Sequence, residues 1–228
     1  MTSPSPAIPL QEVRIPAGTA SLSGDLAVPP QARGIVLFAH GSGSGRHSAR
    51  NRQVARRLQQ EGFATLLFDL LTAQEEQVDL RTREHRFDIA LLTRRMEDAA
   101  AWLHAQPTLR ELPLGFFGAS TGSAAALIAA AQLGRDVAAV VSRGGRPDLA
   151  GPAALAAVSA PTLLIVGGAD DGVIALNEQA LARMRCVREL AIVPGATHLF
   201  EEPGTLERVS DLAAGWFARH LVAAAHPA

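Results

Sequence analysis

The chain has 228 residues, 48% of them hydrophobic, and a formal net charge of −1. That length suits one compact domain built on a buried sheet, and the balance excludes a disordered chain or a basic, nucleic-acid-coating surface. There is no Lys and no Tyr, which removes Schiff-base lysines, Ser–Lys dyads, a P-loop lysine and catalytic tyrosines from consideration. Cys186 is the only cysteine, so neither an internal disulfide nor a thiolate zinc cluster can form.

In chain order, Met1–Pro9 is rich in Pro and Ser, lacks the basic and apolar regions of a secretory signal, and is expected to be flexible, as part of residues 1–10. Glu12–Ile15 and Ala20–Val28 suit an antiparallel lead-in that Pro29-Pro30 ends. Gly34–Ala39 is a continuous apolar run, the pattern of a strand buried on both faces, and similar runs follow at Ala64–Phe68, Leu114–Phe117, Val137–Val141, Thr162–Val166 and Glu189–Val193. Segments of helical period alternate with them: one around Val54 and Leu58, one from Phe87 to Trp102, then Ala124–Leu133, Asn177–Met184 and Leu206–Leu221. Leu71–Arg86 is polar and unpatterned, and is predicted to be a surface loop overhanging a site. No repeat or linker interrupts the pattern, so residues 11–222 are expected to form a single α/β domain, with a tail at 223–228. The longest apolar stretch, near Ala124–Ala131, is too short to span a bilayer; a soluble, cytoplasmic protein is expected.

A parallel sheet of this kind presents its ligand site at the C-terminal ends of its strands. The residues predicted at that rim are His40-Gly41-Ser42, Asp69, Ala119-Ser120-Thr121, Arg143-Gly144-Gly145, Asp170-Asp171 and Thr197-His198. Gly118-Ala119-Ser120-Thr121-Gly122 matches G-x-S-x-G between an apolar strand and an Ala-rich helix, where a tight turn would project a nucleophilic Oγ away from the sheet. The plainer alternative is a glycine-rich turn with a helix-capping Ser. A serine hydroxyl needs a neighbouring base, and His198 follows the last predicted strand at the same rim. His47, His85 and His104 lie in polar contexts, and His220 and His226 belong to the terminal helix and tail.

The carboxylate that orients the imidazole is expected to be Asp170, reached from its strand through Gly167-Gly168-Ala169. Asp171 and Asp148 are its rivals, Asp171 being better suited to capping the following helix. The backbone N–H groups of Thr121 and Ser42 are the expected oxyanion donors. His40 suits a structural role, bonding loop backbone, better than that of a second base, and is also a candidate substrate contact. The run Gly41-Ser42-Gly43-Ser44-Gly45 also brushes against a dinucleotide fingerprint, with Asp69 as its acid, but Arg46 stands where the third glycine belongs.

Together, Phe38-Ala39-His40-Gly41-Ser42-Gly43, Gly118–Gly122, Val166-Gly167-Gly168-Ala169-Asp170 and Gly195-Ala196-Thr197-His198-Leu199-Phe200 resemble the dienelactone hydrolase-like branch of the α/β-hydrolases. The resemblance runs from about residue 12 to 220. It implies an α/β-hydrolase fold, with a mostly parallel sheet, helices on both faces and little or no cap. It also implies hydrolysis of ester or lactone bonds in small molecules. Dienelactone hydrolases proper use a Cys nucleophile, whereas this chain has Ser120, so the resemblance does not extend to dienelactone itself as substrate. Relatives in this branch are sometimes fused to a phosphoribosyltransferase-like domain, which has no counterpart in these 228 residues.

Ser142-Arg143-Gly144-Gly145-Arg146 also matches the branch. Arg143 is open to two roles there, holding a substrate carboxylate or making a structural salt bridge. The expected chemistry needs neither cofactor nor metal, and the expected partner is a small-molecule ester or lactone, with no nucleic acid and no membrane. A homodimer is compatible with the sequence. The same triad would also serve a thioesterase, perhydrolase or acyltransferase, and the fold could persist as a non-catalytic binding module.

Overall fold

The β-branched and aliphatic runs pair into one eight-stranded sheet, which the computed structural model describes together with its helices for residues 8–221. The segments at 1–7 and 222–228, which include most of the expected flexible N-terminus and the tail with His226, lie outside the described residues. The strands are β1 (Leu10–Ala17), β2 (Ala20–Ala27), β3 (Ile35–Ala39), β4 (Ala64–Phe68), β5 (Leu114–Ala119), β6 (Val137–Arg143), β7 (Thr162–Gly167) and β8 (Arg188–Val193). Their order is β1-β2-β4-β3-β5-β6-β7-β8. β1 and β2 form an antiparallel hairpin, β2 joins β4 antiparallel, and β3 to β8 run parallel. No residue of β3, β4, β5 or β7 is exposed, as a strand covered on both faces requires, while β8 at the edge is largely accessible.

The helices α1 (Ala49–Gln60), α2 (Ala73–Thr82), α3 (Ile89–His104), α4 (Thr121–Leu133), α5 (Gly151–Ala157) and α6 (Asp171–Arg183) lie in the crossovers, and α7 (Thr205–His220) follows the last strand. On one face, α1 and α7 lay Val54, Leu58, Val209, Trp216 and Phe217 over Val36, Phe38, Phe117 and Val141. On the other, α3 and α4 cover Leu37, Leu66, Phe116 and Val140. Helix α4 meets the sheet with Ala124, Ala125, Ala126, Ala129 and Ala130, all fully buried, so its axis sits close to the strands. Its first residue directly follows Ser120, and the small side chains keep that junction tight.

The segment 71–86 corrects the predicted loop: residues 73–82 are helix α2. Asp79 is the only residue that α2 buries, so the apolar stripe that announces most helices is missing. Its start was written in another code. Thr72 and Glu75 form a capping box, the Thr72 hydroxyl accepting from the Glu75 N–H while the Glu75 carboxylate accepts from the Thr72 N–H. Glu75 also pairs at 2.8 Å with Arg95 of α3, a buried guanidinium that donates to the Ala17 carbonyl. Helix α2 is therefore held by polar contacts rather than by a greasy face.

Two glycines around the β5–α4 junction are steric requirements. A Cβ on Gly122 would lie 2.4 Å from the His40 carbonyl oxygen and 2.5 Å from that of Ala39, and a Cβ on Gly118 would lie 2.5 Å from the Ser123 Cα. Gly215 of α7 has open space around it. Gly122→Ala is expected to destabilise the protein by about 1–3 kcal/mol, while Gly215→Ala stabilises it by about 0.5–1 kcal/mol. Urea denaturation of the two variants beside the parent checks this, and equal midpoints would contradict it.

Candidate active site

Ser120 stands between the last residue of β5 and the first of α4 with φ 49° and ψ −123°, a left-handed conformation costly for any residue with a side chain. Hydrogen bonds fix it there: its N–H donates to the Arg143 carbonyl at 3.2 Å, and its own carbonyl accepts from Ser123 at 3.0 Å and Arg146 at 3.2 Å. Gly41 lies alongside, where a Cβ would come within 3.2 Å of the Ser120 Cβ. The side chain is thus pushed out to the rim, at the N-terminus of α4.

His198 reaches it from the β8–α7 loop. Its Nε2 is 3.3 Å from Ser120 Oγ, and its Nδ1 donates to Asp170 Oδ2 at 2.7 Å. The loop is pinned on both sides of the imidazole. Thr197 gives its N–H and hydroxyl to the Glu202 carboxylate, and Phe200, at φ 56°, drives its ring into the core. The Asp170 turn packs directly on it: Ala169 N–H donates to the Ala196 carbonyl at 2.9 Å, and a Cβ on Gly167 would lie 2.3 Å from that same oxygen. Close approach of these two loops sets the acid-to-imidazole distance.

Asp170 is therefore the acid that meets the imidazole. It also occupies the N-cap position of α6, where its side chain makes no bond to the helix amides, so the expected cap role of Asp171 is corrected: Asp171 is the first residue of the helix. Asp148 is committed elsewhere, to a two-bond pair with Arg146 at 2.8 and 2.9 Å.

The two residues expected to supply oxyanion donors, Ser42 and Thr121, are joined by a hydrogen bond. Thr121 opens α4, so its N–H has no acceptor within the helix. The Ser42 N–H donates at 3.0 Å to Thr121 Oγ1, which ties the Gly41–Gly45 loop to the elbow. A substrate oxygen could use the Ser42 N–H only by sharing or displacing that hydroxyl. His40 has both ring nitrogens occupied, Nδ1 donating to the Gly41 carbonyl at 2.9 Å and Nε2 accepting from Leu70 N–H at 3.0 Å. Both bonds are to loop backbone, so the candidate substrate contact of His40 is corrected: no ring nitrogen is left for a substrate. Burial holds its pKa below the ordinary 6.5.

Beside Ser42 and Thr121 lies a cavity of about 170 Å³, walled by Leu71, Leu80, Arg86 and Leu92. Sequence reasoning missed what builds its outer wall. The Asp79 carboxylate is buried and accepts from the N–H groups of His85 and Arg86, each at 2.9 Å, and from Arg86 Nε. Burial raises its pKa, but these donors outweigh burial and the net shift is downward. The clasp folds residues 83–88 back over the Gly43 loop. Its only sequence signal was the capping box at Thr72, since neither Asp79 nor Arg86 falls in a recognisable motif. A larger depression of about 1060 Å³ lies beyond Gly43–Ser48. Neither space is lined by Ser120, Asp170 or His198, but the larger one also fails to reach Ser42 and Thr121, and its Arg46 is tied to Glu12, Asp25 and Asp69.

Arg143, at the end of β6, makes no salt bridge among the described residues, so the salt-bridge alternative is corrected. Nor do any three His, Cys, Asp or Glu side chains among the described residues converge to hold a metal ion.

The family model for the dienelactone hydrolase family matches residues 22–218. The chain belongs to the dienelactone hydrolase family. It is 57% identical to a dienelactone hydrolase from Anabaena variabilis whose crystal structure superposes with a TM-score of 0.91, covering 93% of this chain and 99% of that one. Est1E from Butyrivibrio proteoclasticus shares the fold at 14% identity, with a TM-score of 0.77 over 91% of this chain and 98% of that one. A Mycobacterium tuberculosis protein, provisionally named a phosphoribosyl transferase, is 58% identical over 211 residues, which are 92% of this chain but 46% of that protein. The chain thus spans about half the length of the curated relatives it matches. Membership of the dienelactone hydrolase family, together with an α/β-hydrolase fold, supports a hydrolase. No helix among the described residues is long and apolar enough to cross a membrane.

The neutral, two-bond state of His40 has a pH signature. Its folded pKa lies below that of the unfolded chain, so as pH falls through about 6.5 the unfolded state takes up a proton that the folded state refuses, and stability is lost. The stability advantage of the parent over His40→Gln is expected to shrink between pH 7.5 and pH 5.5. Urea midpoints of both proteins at the two pH values test this, and an advantage that grows on acidification would contradict it.

Proposed function

We propose that the chain is a serine hydrolase that cleaves carboxylic ester or lactone bonds of small molecules through an acyl-Ser120 intermediate. One observation carries it: the unbroken line from Ser120 Oγ to His198 Nε2 at 3.3 Å and from His198 Nδ1 to Asp170 Oδ2 at 2.7 Å. Nδ1–H bonded to a carboxylate leaves Nε2 as the acceptor that faces the hydroxyl. In this mechanism Ser120 Oγ attacks the carbonyl carbon as its proton passes to Nε2. The tetrahedral oxyanion takes the Thr121 N–H and, once Thr121 Oγ1 yields it, the Ser42 N–H. Collapse breaks the bond to the leaving oxygen, which receives the proton from Nε2. Water, deprotonated by the same nitrogen, then releases the acid and restores Ser120.

The 170 Å³ cavity next to those two amides is too small for a large acyl group, and Leu71, Leu80 and Leu92 make part of its wall apolar. A short acyl chain is the substrate part that it would admit. The phosphoribosyl transferase name belongs to a protein about twice as long.

Ser120→Ala and His198→Ala should each lower kcat/KM for p-nitrophenyl acetate by about 10⁴-fold or more, and combining them should add little, because triad members act as a unit. Steady-state assays of the two single variants and the double variant check this. Turnover by Ser120→Ala at the parent rate would overturn the assignment. Product analysis with methanol, a thiol and hydrogen peroxide as competing acceptors separates hydrolysis from the transferase, thioester and perhydrolase variants of the same chemistry. Hydrolysis predicts free acid as the main product in water.

A further inference from the structure

Most of the chain's buried or half-buried arginines are matched to acids by the fold. Arg46 lies among Glu12, Asp25 and Asp69, Arg86 is held by Asp79, and Arg95, 7% exposed, is paired with Glu75. Arg143 is equally buried at 7%, yet its Nε and Nη1 have no hydrogen-bond partner among the described residues. The charged group that acts on it is another cation, Arg50. Burial, aided by that repulsion, lowers its pKa to about 10, which still leaves it charged at neutral pH.

Arg50 is the second residue of α1, a helix with no acid in its first turn, so its guanidinium lies at the positive end of the helix dipole. Its Nη1 bonds the exposed Glu201 at 3.1 Å, while its Nε is buried and lacks a partner. Two guanidinium groups with buried, unpartnered nitrogens thus act on each other, one of them at a helix N-terminus, and a single surface carboxylate answers only Arg50. Burying a cation without a counter-charge is strongly unfavourable. The arrangement is that of a receptor for an anion.

We propose that Arg143, at the end of β6, and Arg50, at the start of α1, form a binding site for a small oxyanion, a carboxylate or phosphate. Guanidinium groups present paired N–H donors that match such oxygens. The site adjoins the reaction centre, since the Arg143 carbonyl holds the Ser120 N–H and Glu201 follows His198 by three residues. The oxyanion has two possible sources: it is carried by the substrate, or it is a free anion that completes the fold. Binding itself does not rest on the esterase activity proposed above; only the substrate-borne source does.

Thermal unfolding of the full chain at constant ionic strength, titrated separately with phosphate and succinate, tests the site. The parent is expected to show a saturable rise in Tm with at least one of the two. Arg143→Met should abolish that rise, and in buffer free of oxyanions should melt no lower than the parent, because an uncompensated cation has been replaced by an apolar side chain of similar length. Arg50→Gln should weaken binding by about tenfold, and Glu201→Gln, by freeing Arg50, should tighten it. A parent whose Tm does not respond, or an Arg143→Met protein that responds as the parent does, would overturn the proposal. The source is read from the ratio of kcat/KM for the p-nitrophenyl hemiester of succinate to that for p-nitrophenyl butyrate. A substrate-borne carboxylate makes that ratio fall by about tenfold or more in Arg143→Met. A free anion leaves the ratio unchanged while the Tm response is still lost.

Discussion

A side chain at φ 49° between a strand and a helix is a strained object, and much of the rim exists to keep Ser120 there. Three backbone hydrogen bonds hold the residue, and Gly41, Gly118 and Gly122 clear the space that a tight elbow needs. The alanine face of α4 brings the helix close enough to the sheet for the turn to close at all. What the molecule gains is position. The hydroxyl stands proud of the sheet at a helix N-terminus, where the Thr121 N–H has no acceptor within the helix.

The partners of Ser120 are placed by loop-on-loop packing rather than by secondary structure. The turn after β7 and the turn after β8 share backbone hydrogen bonds and approach so closely that Gly167 admits no side chain. Asp170 and His198 are therefore placed as one unit. Glu202 and the buried Phe200 ring clamp that unit from the far side. On the other flank, charge replaces grease: Glu75 with Arg95 and Asp79 with Arg86 hold α2 over the cavity. In a chain without lysine, guanidinium–carboxylate pairs do this work, and their planar geometry fixes orientation as well as distance.

The strands were legible because strands covered on both faces must be continuous apolar runs, and Ile35–Ala39, Ala64–Phe68 and Thr162–Gly167 are such runs. The order of Ser120, Asp170 and His198 was legible because only rim residues can meet. Helix α2 was not, since a helix whose one buried residue is an aspartate leaves no periodic trace. The hydrogen bond from Ser42 to Thr121 Oγ1 was equally hidden, because it joins residues 79 positions apart whose contact depends on how the loop folds. Arg143 was visible as a candidate, but its lack of a counter-charge could emerge only from the three-dimensional surroundings.

The proposed activity requires one hydroxyl to be made nucleophilic by one imidazole. Intact-protein and peptide mass spectrometry after exposure to a fluorophosphonate probe reads this directly. The expected result is a single adduct on the peptide containing Ser120, lost when the protein is heat-denatured first and strongly slowed in His198→Ala. A folded protein that stays unlabelled, or one labelled on a different serine, would contradict it.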